Sequence, residues 1–303
     1  MAYILFFHDN PSSSLSGSPF FALPLVNQIM AALFIVHYLN RAVISPLFLA
    51  PSMSSIHAII IFFAVLFNYM NAAVISGWLL GYGVVPMETS IVGDSADVLG
   101  KDPVETDDAG PMARFVPCTA YVGLAVFLVG MYGNIGAENT LFRLRRDEAH
   151  RRAAATGSEK ANGATNNKDD KNKNIYSKVY IIPPPKGFFR YVLHPHYSLE
   201  WLEWTGYMIM GFAVHTADTR ASLAAAGHTV SAPAPPIPLA LFYAPLANLL
   251  DKLGLPFPFP AIVFLVNSVM NTAARASWGR KWYEVKFGKE AVAGRAAAVP
   301  FIL

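Results

Sequence analysis

Five apolar segments, each close to the length of a membrane crossing, restrict this chain to one class of fold. They are separated by polar or proline-rich stretches and lie at 20–48, 56–82, 115–144, 199–217 and 258–274. About 20 consecutive apolar residues in a helix cross the hydrocarbon core of a bilayer. Helices and closed barrels are the structures that pair all their backbone groups in lipid. The segments therefore predict an all-α fold, a polytopic transmembrane helical bundle of about five spans.

The low charge content agrees with a bilayer environment. Charged residues make up 14% of the chain, whereas soluble domains carry about 25%. The one cysteine, Cys118, excludes an internal disulfide and a thiolate metal cluster. His194 and His196 flank Pro195 and lack the H-x-x-x-H spacing of a helical zinc site, which favours a loop pair over metal ligands. We therefore expect no metal site.

The charge of the connecting stretches predicts the orientation in the membrane. The charged residues of 83–114 are mostly acidic, whereas 143–178 and 275–303 are rich in lysine and arginine. Basic stretches remain on the cytosolic side, so both are expected there. This topology accounts for their positive charge, and we expect no nucleic-acid partner. A crossing by the short apolar run 237–250 would move the basic tail to the lumen. We therefore interpret this run as interfacial or re-entrant.

This orientation divides the chain into four regions. They are a lumenal segment at 1–19, three spans with a lumenal loop (83–114) at 20–144, a disordered basic cytosolic loop at 145–178, and a C-terminal region with a cytosolic tail at 179–303. The prediction of disorder rests on 153–174, which is polar, low in complexity and without aromatic residues. Such a segment cannot bury enough apolar surface to offset the entropy of ordering it.

Polar residues gather near the predicted cytosolic ends of the spans. They are His37, Tyr38, Asn40, Arg41, Asn134, Glu138, Arg143, Arg145, Glu200, Glu203 and Arg275. Glu200 and Glu203 share one helix face. Acids near a helix start are also favoured by its dipole, so a solvated helix end is the alternative interpretation. The convergence of these residues at one depth favours a polar cavity inside the bundle. It argues against a channel or transporter.

Six short motifs occur in a fixed order along the chain. They read VHYLNR at 36–41, NYMN at 68–71, GMYGN at 130–134, YIIP at 180–183, HYSLE at 196–200, and WYEVKF at 282–287 followed by the terminal PFIL. In this order they resemble the steroid 5α-reductase family, which includes very-long-chain enoyl reductases and polyprenol reductases. Any one motif is weak, but the ordered set is specific.

The resemblance implies NADPH-dependent reduction of a carbon–carbon double bond conjugated to a carbonyl in a lipid. The enzyme would be a multi-pass protein of the endoplasmic reticulum membrane with a cytosolic C-terminus. The region of Asn71 favours a 3-oxo-Δ4-steroid as the substrate. The alternatives are a trans-2-enoyl-CoA reductase of fatty-acid elongation and a catalytically impaired membrane scaffold of the same fold.

The resemblance also implies roles for individual residues. Tyr38 would be the catalytic donor to the carbonyl oxygen, where negative charge develops. Arginine suits bidentate contact with the cofactor phosphates. The residues expected to bind NADPH are Asn134, Glu138, Arg145, His196, Glu200, Arg275, Tyr283 and Arg295. Asn71 and Glu203 are the candidates for substrate binding.

The chain also departs from the family pattern. The family has seven spans, so this chain is expected to lack the first two, which carry a Gln-Glu pair that contacts the substrate carbonyl. Glu138 stands where aspartate is usual, and Leu199 where glycine precedes the acid. A leucine there would hinder close approach of a cofactor to the backbone.

Overall fold

A computed structural model of the 303-residue chain describes residues 19–52, 56–82, 113–161, 175–176, 179–228, 240–292 and 294–300. Most of the expected lumenal segment, nearly all of the acidic loop and residues 162–174 of the basic loop lie outside the described residues. The described part is helical and contains no β-strand. The prediction of an all-α fold is confirmed.

Nine α-helices occur in the described ranges. They are α1 (Pro19–Ala22), α2 (Leu25–Leu39, continued by a π-helix at Asn40–Leu49), α3 (Ala58–Leu79), α4 (Val116–Ala161), α5 (Pro195–Gly211), α6 (Thr216–Ala225), α7 (Ala240–Lys252), α8 (Phe259–Phe287) and α9 (Lys289–Val292). Single 3₁₀ turns lie at Ala113–Phe115 and Gly187–Phe189.

Three helices in the described part of the chain are long and apolar enough to cross a membrane. They are Leu25–Leu49, Ala58–Leu79 and Val116–Ala155, and they match the first three predicted apolar segments. Helix α3 exposes large apolar side chains such as Phe62 and Val65 on its surface, as a helix in lipid does. The crossings predicted for the fourth and fifth segments, now α5 and α8, stay predictions.

Helix α7 corresponds to the short apolar run interpreted as interfacial or re-entrant. It has 13 residues, which at 1.5 Å per residue give a length of about 20 Å. The hydrocarbon core of a bilayer is about 30 Å thick. The length agrees with the interpretation, and the position of α7 in the membrane stays a prediction.

The predicted boundary of the basic loop at residue 145 is wrong. Helix α4 continues through this position to Ala161. Alanine, arginine and glutamate are good helix formers, and Glu148 pairs with Arg151 and Arg152 one turn later, at 2.7 Å each. Ion pairs at this spacing support a helix. The local sequence therefore favours helix where composition suggested disorder.

The chain groups into two compact units. The first comprises Met1–Val36, Ala58–Phe127 and Trp204–Val266, and the second comprises His37–His57, Leu128–Glu203 and Asn267–Leu303. Apart from Asn71, which lies in the first unit, all the residues predicted for the site belong to the second.

Aromatic packing forms the core of the first unit. The rings of Trp204 and Phe264 are 4.5 Å apart, and Phe34 and Phe127 lie against the same indole at 5.9 and 6.1 Å. Edge-on ring pairs at such distances add to the free energy gained by burial.

Glycines bring the backbones of α4 and α5 into contact in the second unit. A Cβ atom at Gly130 would lie 2.6 Å from the Cα of Glu203, and one at Gly133 would lie 2.8 Å from a methyl group of Leu199. Only glycine permits this approach. The contact places the polar end of α4 beside the first turns of α5, where the candidate site lies.

Candidate functional site

The π-helical continuation of α2 carries two residues of the candidate site. Pro46 lies within Asn40–Leu49 and has no N–H to donate to an α-helical bond. π-Helical turns are rare and occur frequently at functional sites. Here Arg41 and Ser45 both point to Glu138 of α4.

Arg41 lies between two carboxylates. Its Nη1 donates to Oε1 of Glu138 at 2.8 Å, and the other oxygen of Glu138 accepts from Ser45 Oγ at 2.7 Å. Nη2 of Arg41 lies 3.9 Å from Oε2 of Glu200. Tyr38, one turn before Arg41, interacts electrostatically with both Arg41 and Glu200. The second unit thus places the predicted catalytic tyrosine near Arg41 and the predicted cofactor residue Glu200.

Aromatic rings surround the start of α5. His194 stacks on Tyr283 with 5.6 Å between ring centroids and 27° between planes, and His196 lies 4.2 Å from the ring of Tyr197. Burial lowers the pKa of His194 to about 4 and holds the pKa of His196 well below its usual range. Both imidazoles are therefore neutral at pH 7. Any side chain at position 279 would collide with the ring of His194, so Gly279 makes room for it.

Two buried polar atoms on one face of α5 have no hydrogen-bond partner among the described residues. They are Nδ1 of His196 and Oε2 of Glu200. The two residues are four positions apart and therefore face the same way on the helix. A buried polar atom without a partner costs free energy, and such atoms in native proteins call for a specific explanation. A ligand with a hydrogen-bond donor for the carboxylate would satisfy this site.

Two of the predicted phosphate-binding arginines lie near the aromatic rings. Arg275 interacts electrostatically with Tyr197, and Arg145 does so with Tyr283. Nη2 of Arg145 also donates to Ser52 Oγ at 2.9 Å. The second unit therefore brings these cations to the same cluster as the histidines and acids of α5.

Arg295 occupies a different position, inside the fold of the C-terminal tail. It is buried and donates to the carbonyl oxygens of Pro183 and Ala291 at 2.6 and 2.9 Å. Burial lowers the pKa of its guanidinium. Beside it, Ala296 pairs with Val192 in a parallel bridge that holds the tail against the segment preceding α5. The predicted phosphate contact of Arg295 stays a prediction.

The two predicted substrate-binding residues have different surroundings. Both oxygens of Glu203 are engaged by protein, one by His37 at 2.6 Å and the other by Asn134 at 3.4 Å. A substrate contact would require displacement of one of them. Asn71 lies on α3 in the first unit, where its Nδ2 is buried without a partner among the described residues. Both roles stay predictions.

The leucine that departs from the family pattern has a structural explanation. The side chain of Leu199 lies against Gly133 of α4, so it fills the space that the missing Cβ leaves. It therefore packs between two helices on the side of α5 that faces α4.

The sequence analysis places Arg41 among the converging polar residues but gives it no role, and it leaves out Ser45 and Tyr197. Arg41 has a signal in the sequence, since it ends the motif VHYLNR and shares a helix face with Tyr38. Ser45 has no such signal, because its partner Glu138 is far away in the chain. Tyr197 is visible only as the residue between a histidine and a serine of HYSLE.

The comparison with known proteins identifies two relatives. The chain is 24% identical over 298 residues to steroid 5-alpha-reductase DET2 of Arabidopsis thaliana, covering 97% of the chain and 71% of the plant protein. It is 30% identical over 179 residues to an uncharacterized protein of Schizosaccharomyces pombe, covering 59% of the chain and 49% of that protein. The chain thus spans about half the length of the fission yeast relative. The chain is distantly similar to a steroid 5α-reductase along nearly its whole length.

No family model and no solved structure matches the chain. The similarity to a reductase and the three membrane-length helices of the described residues together indicate a membrane oxidoreductase.

Proposed function

We propose that the chain is an NADPH-dependent reductase that acts on a carbon–carbon double bond conjugated to a carbonyl in a membrane lipid. One observation carries the proposal. Tyr38, Arg41, Glu138 and Glu200 form one cluster in a helical unit of a chain that is similar to a steroid 5α-reductase over 97% of its length.

The residues around α5 fit NADPH. Oε2 of Glu200 has no hydrogen-bond partner among the described residues and lies 3.9 Å from Nη2 of Arg41, so it can accept a hydrogen bond from a carboxamide, which the nicotinamide ring carries. Arg145 and Arg275 are available to contact phosphate oxygens, for which guanidinium geometry is well suited. His196 is neutral and buried, so it contributes a hydrogen bond without adding charge. NADPH, when bound, supplies the hydride that reduces the double bond.

Tyr38 is the residue proposed to act on the substrate carbonyl. Negative charge develops on this oxygen during reduction, and a donor already in place stabilises it. A tyrosine hydroxyl keeps its proton at neutral pH, because its unperturbed pKa is about 10. Arg41 offsets the charge of Glu138 and Glu200 beside it. The carboxylates therefore oppose the developing charge less than they would without Arg41.

The substrate we favour is a steroid, specifically a 3-oxo-Δ4-steroid; a steroid is favoured because the plant relative is named a steroid 5-alpha-reductase. The membrane we favour is the endoplasmic reticulum, with the basic C-terminal tail in the cytosol, because the tail is rich in lysine and arginine. Apolar helices of membrane length are consistent with a substrate that partitions into lipid.

The test is NADPH consumption by membranes that contain the full chain, with progesterone or trans-2-enoyl-CoA added. We expect progesterone-dependent consumption that falls about 10²- to 10³-fold in Tyr38→Phe, as for loss of an oxyanion donor. Glu200→Gln should weaken NADPH binding. Glu148→Gln, which alters an ion pair on the far part of α4, is the matched control and should leave both unchanged.

The outcomes separate the alternatives. If only the enoyl-CoA is reduced, the proposed reaction stands and the substrate is an enoyl-CoA of fatty-acid elongation instead of a steroid. Absence of NADPH binding in the unmodified chain would refute the reductase proposal and leave a membrane scaffold.

A further inference from the structure

A second polar cluster lies beside the candidate site and is sealed from solvent. Glu203 has 0% of its surface exposed and His37 has 5%. Oε1 of Glu203 lies 2.6 Å from Nδ1 of His37, and Nδ2 of Asn134 donates to Oε2 at 3.4 Å. We call these three residues the buried triad. It joins residues of α2, α4 and α5 within the second unit.

Each member of the buried triad is close in sequence to one residue of the site. The pairs are His37 with Tyr38, Asn134 with Glu138, and Glu203 with Glu200. Residues three or four apart on an α-helix share a face. The rotation of α5 that brings Glu203 to His37 therefore also sets the face from which Glu200 projects, and the rotation of α4 at Asn134 does the same for Glu138. His37, as the immediate neighbour, sets the backbone from which Tyr38 projects.

Stability alone does not explain this cluster. A buried ion pair is often no more stabilising than apolar side chains of the same volume, because desolvation offsets the attraction. Hydrogen bonds differ from apolar contacts in that they depend on direction and lose strength when a helix rotates. The backbones of α4 and α5 are in close contact at Gly130 and Glu203, so a rotation of either helix there would create a clash.

We propose that the buried triad is a positioning device that fixes the rotation of three helices and so places Tyr38, Glu138 and Glu200 relative to one another. The kinetic part of this inference rests on the proposed function, whereas the structural part does not. A misplacement of about 1 Å in a reacting group can cost about 10²-fold in rate. A change in the buried triad is therefore expected to act on turnover more than on cofactor affinity.

The experiment places 3-fluorotyrosine at position 38 of the full chain in lipid nanodiscs and records its ¹⁹F resonance. Glu203→Gln keeps the size of the side chain but removes the carboxylate, and His37→Phe keeps a planar ring but removes Nδ1. We expect both variants to shift or split the resonance. We also expect kcat to fall by about tenfold or more, while the Kd for NADPH stays within about twofold. Glu148→Gln is the control and should leave all three quantities unchanged.

The structural readout decides the inference independently of activity. An unchanged ¹⁹F resonance in the folded variants overturns the positioning role, even if their thermal stability is reduced. Loss of NADPH binding with an unchanged resonance also overturns it and assigns Glu203 to the cofactor. If one variant does not fold, the other decides. If the unmodified chain reduces no enone, the proposed function fails, and the resonance still tests the buried triad.

Discussion

Replacing Arg41 by alanine should destabilise the second unit by about 2 kcal/mol. Arg41 donates to Glu138 at 2.8 Å and lies 3.9 Å from Glu200, and the three side chains expose 32%, 18% and 11% of their surface. A hydrogen bond to a charged group contributes about 1.5–3 kcal/mol, and breaking a fully buried pair costs about 3–5 kcal/mol. Because the Arg41 side chain is partly exposed, the loss should lie within the range for a hydrogen bond to a charged group and below that for a fully buried pair.

Unfolding in mixed micelles with increasing dodecyl sulfate measures this loss for Arg41→Ala, Glu138→Gln and the double variant. Since both single changes break the same bond, the double variant should lose about 1–2 kcal/mol less than the sum of the two. Arg41→Lys should give an intermediate loss, because a single ammonium group cannot bridge two carboxylates as guanidinium does. Losses that add to within about 0.5 kcal/mol, as for independent sites, would refute the reasoning.

Three further changes test other parts of the second unit. Gly130→Ala should destabilise by about 1–3 kcal/mol, because its Cβ would collide with the backbone of α5, whereas Gly136→Ala, with its nearest neighbour at 3.6 Å, should be tolerated in the same unfolding assay. The pKa of His194 is lowered to about 4 in the folded chain, so its contribution to stability is complete above about pH 6.5 and is lost as the pH falls towards 4. The free energy of unfolding of the unmodified chain should therefore fall between pH 7.5 and pH 5. In His194→Phe this fall should be smaller by on the order of 1 kcal/mol. Arg295→Lys should loosen the C-terminal tail, because a single ammonium group replaces the guanidinium that binds two carbonyl oxygens. The rate of proteolysis of the tail measures this loosening. Cleavage at an unchanged rate would contradict the prediction.

Local pattern was a good guide to the helices and a poor guide to where one of them ends. The apolar run at 115–144 predicts a span, and α4 contains it. Helix α4 continues to Ala161, and ion pairs of Glu148 with residues one turn later support the part of it just beyond the predicted boundary. Composition averages over such pairs and therefore misses them.

The sequence by itself determined the all-α membrane class, because apolar length and backbone pairing in lipid leave few alternatives. It also determined that polar residues recur near one end of several helices. Only the tertiary structure decided which of them meet: Arg41 with Glu138 across 97 positions, and His37 with Glu203 across 166. The rotation and close approach of whole helices determine which of these side chains come into contact. That rotation depends on packing at residues such as Gly130, which no local pattern in the sequence specifies.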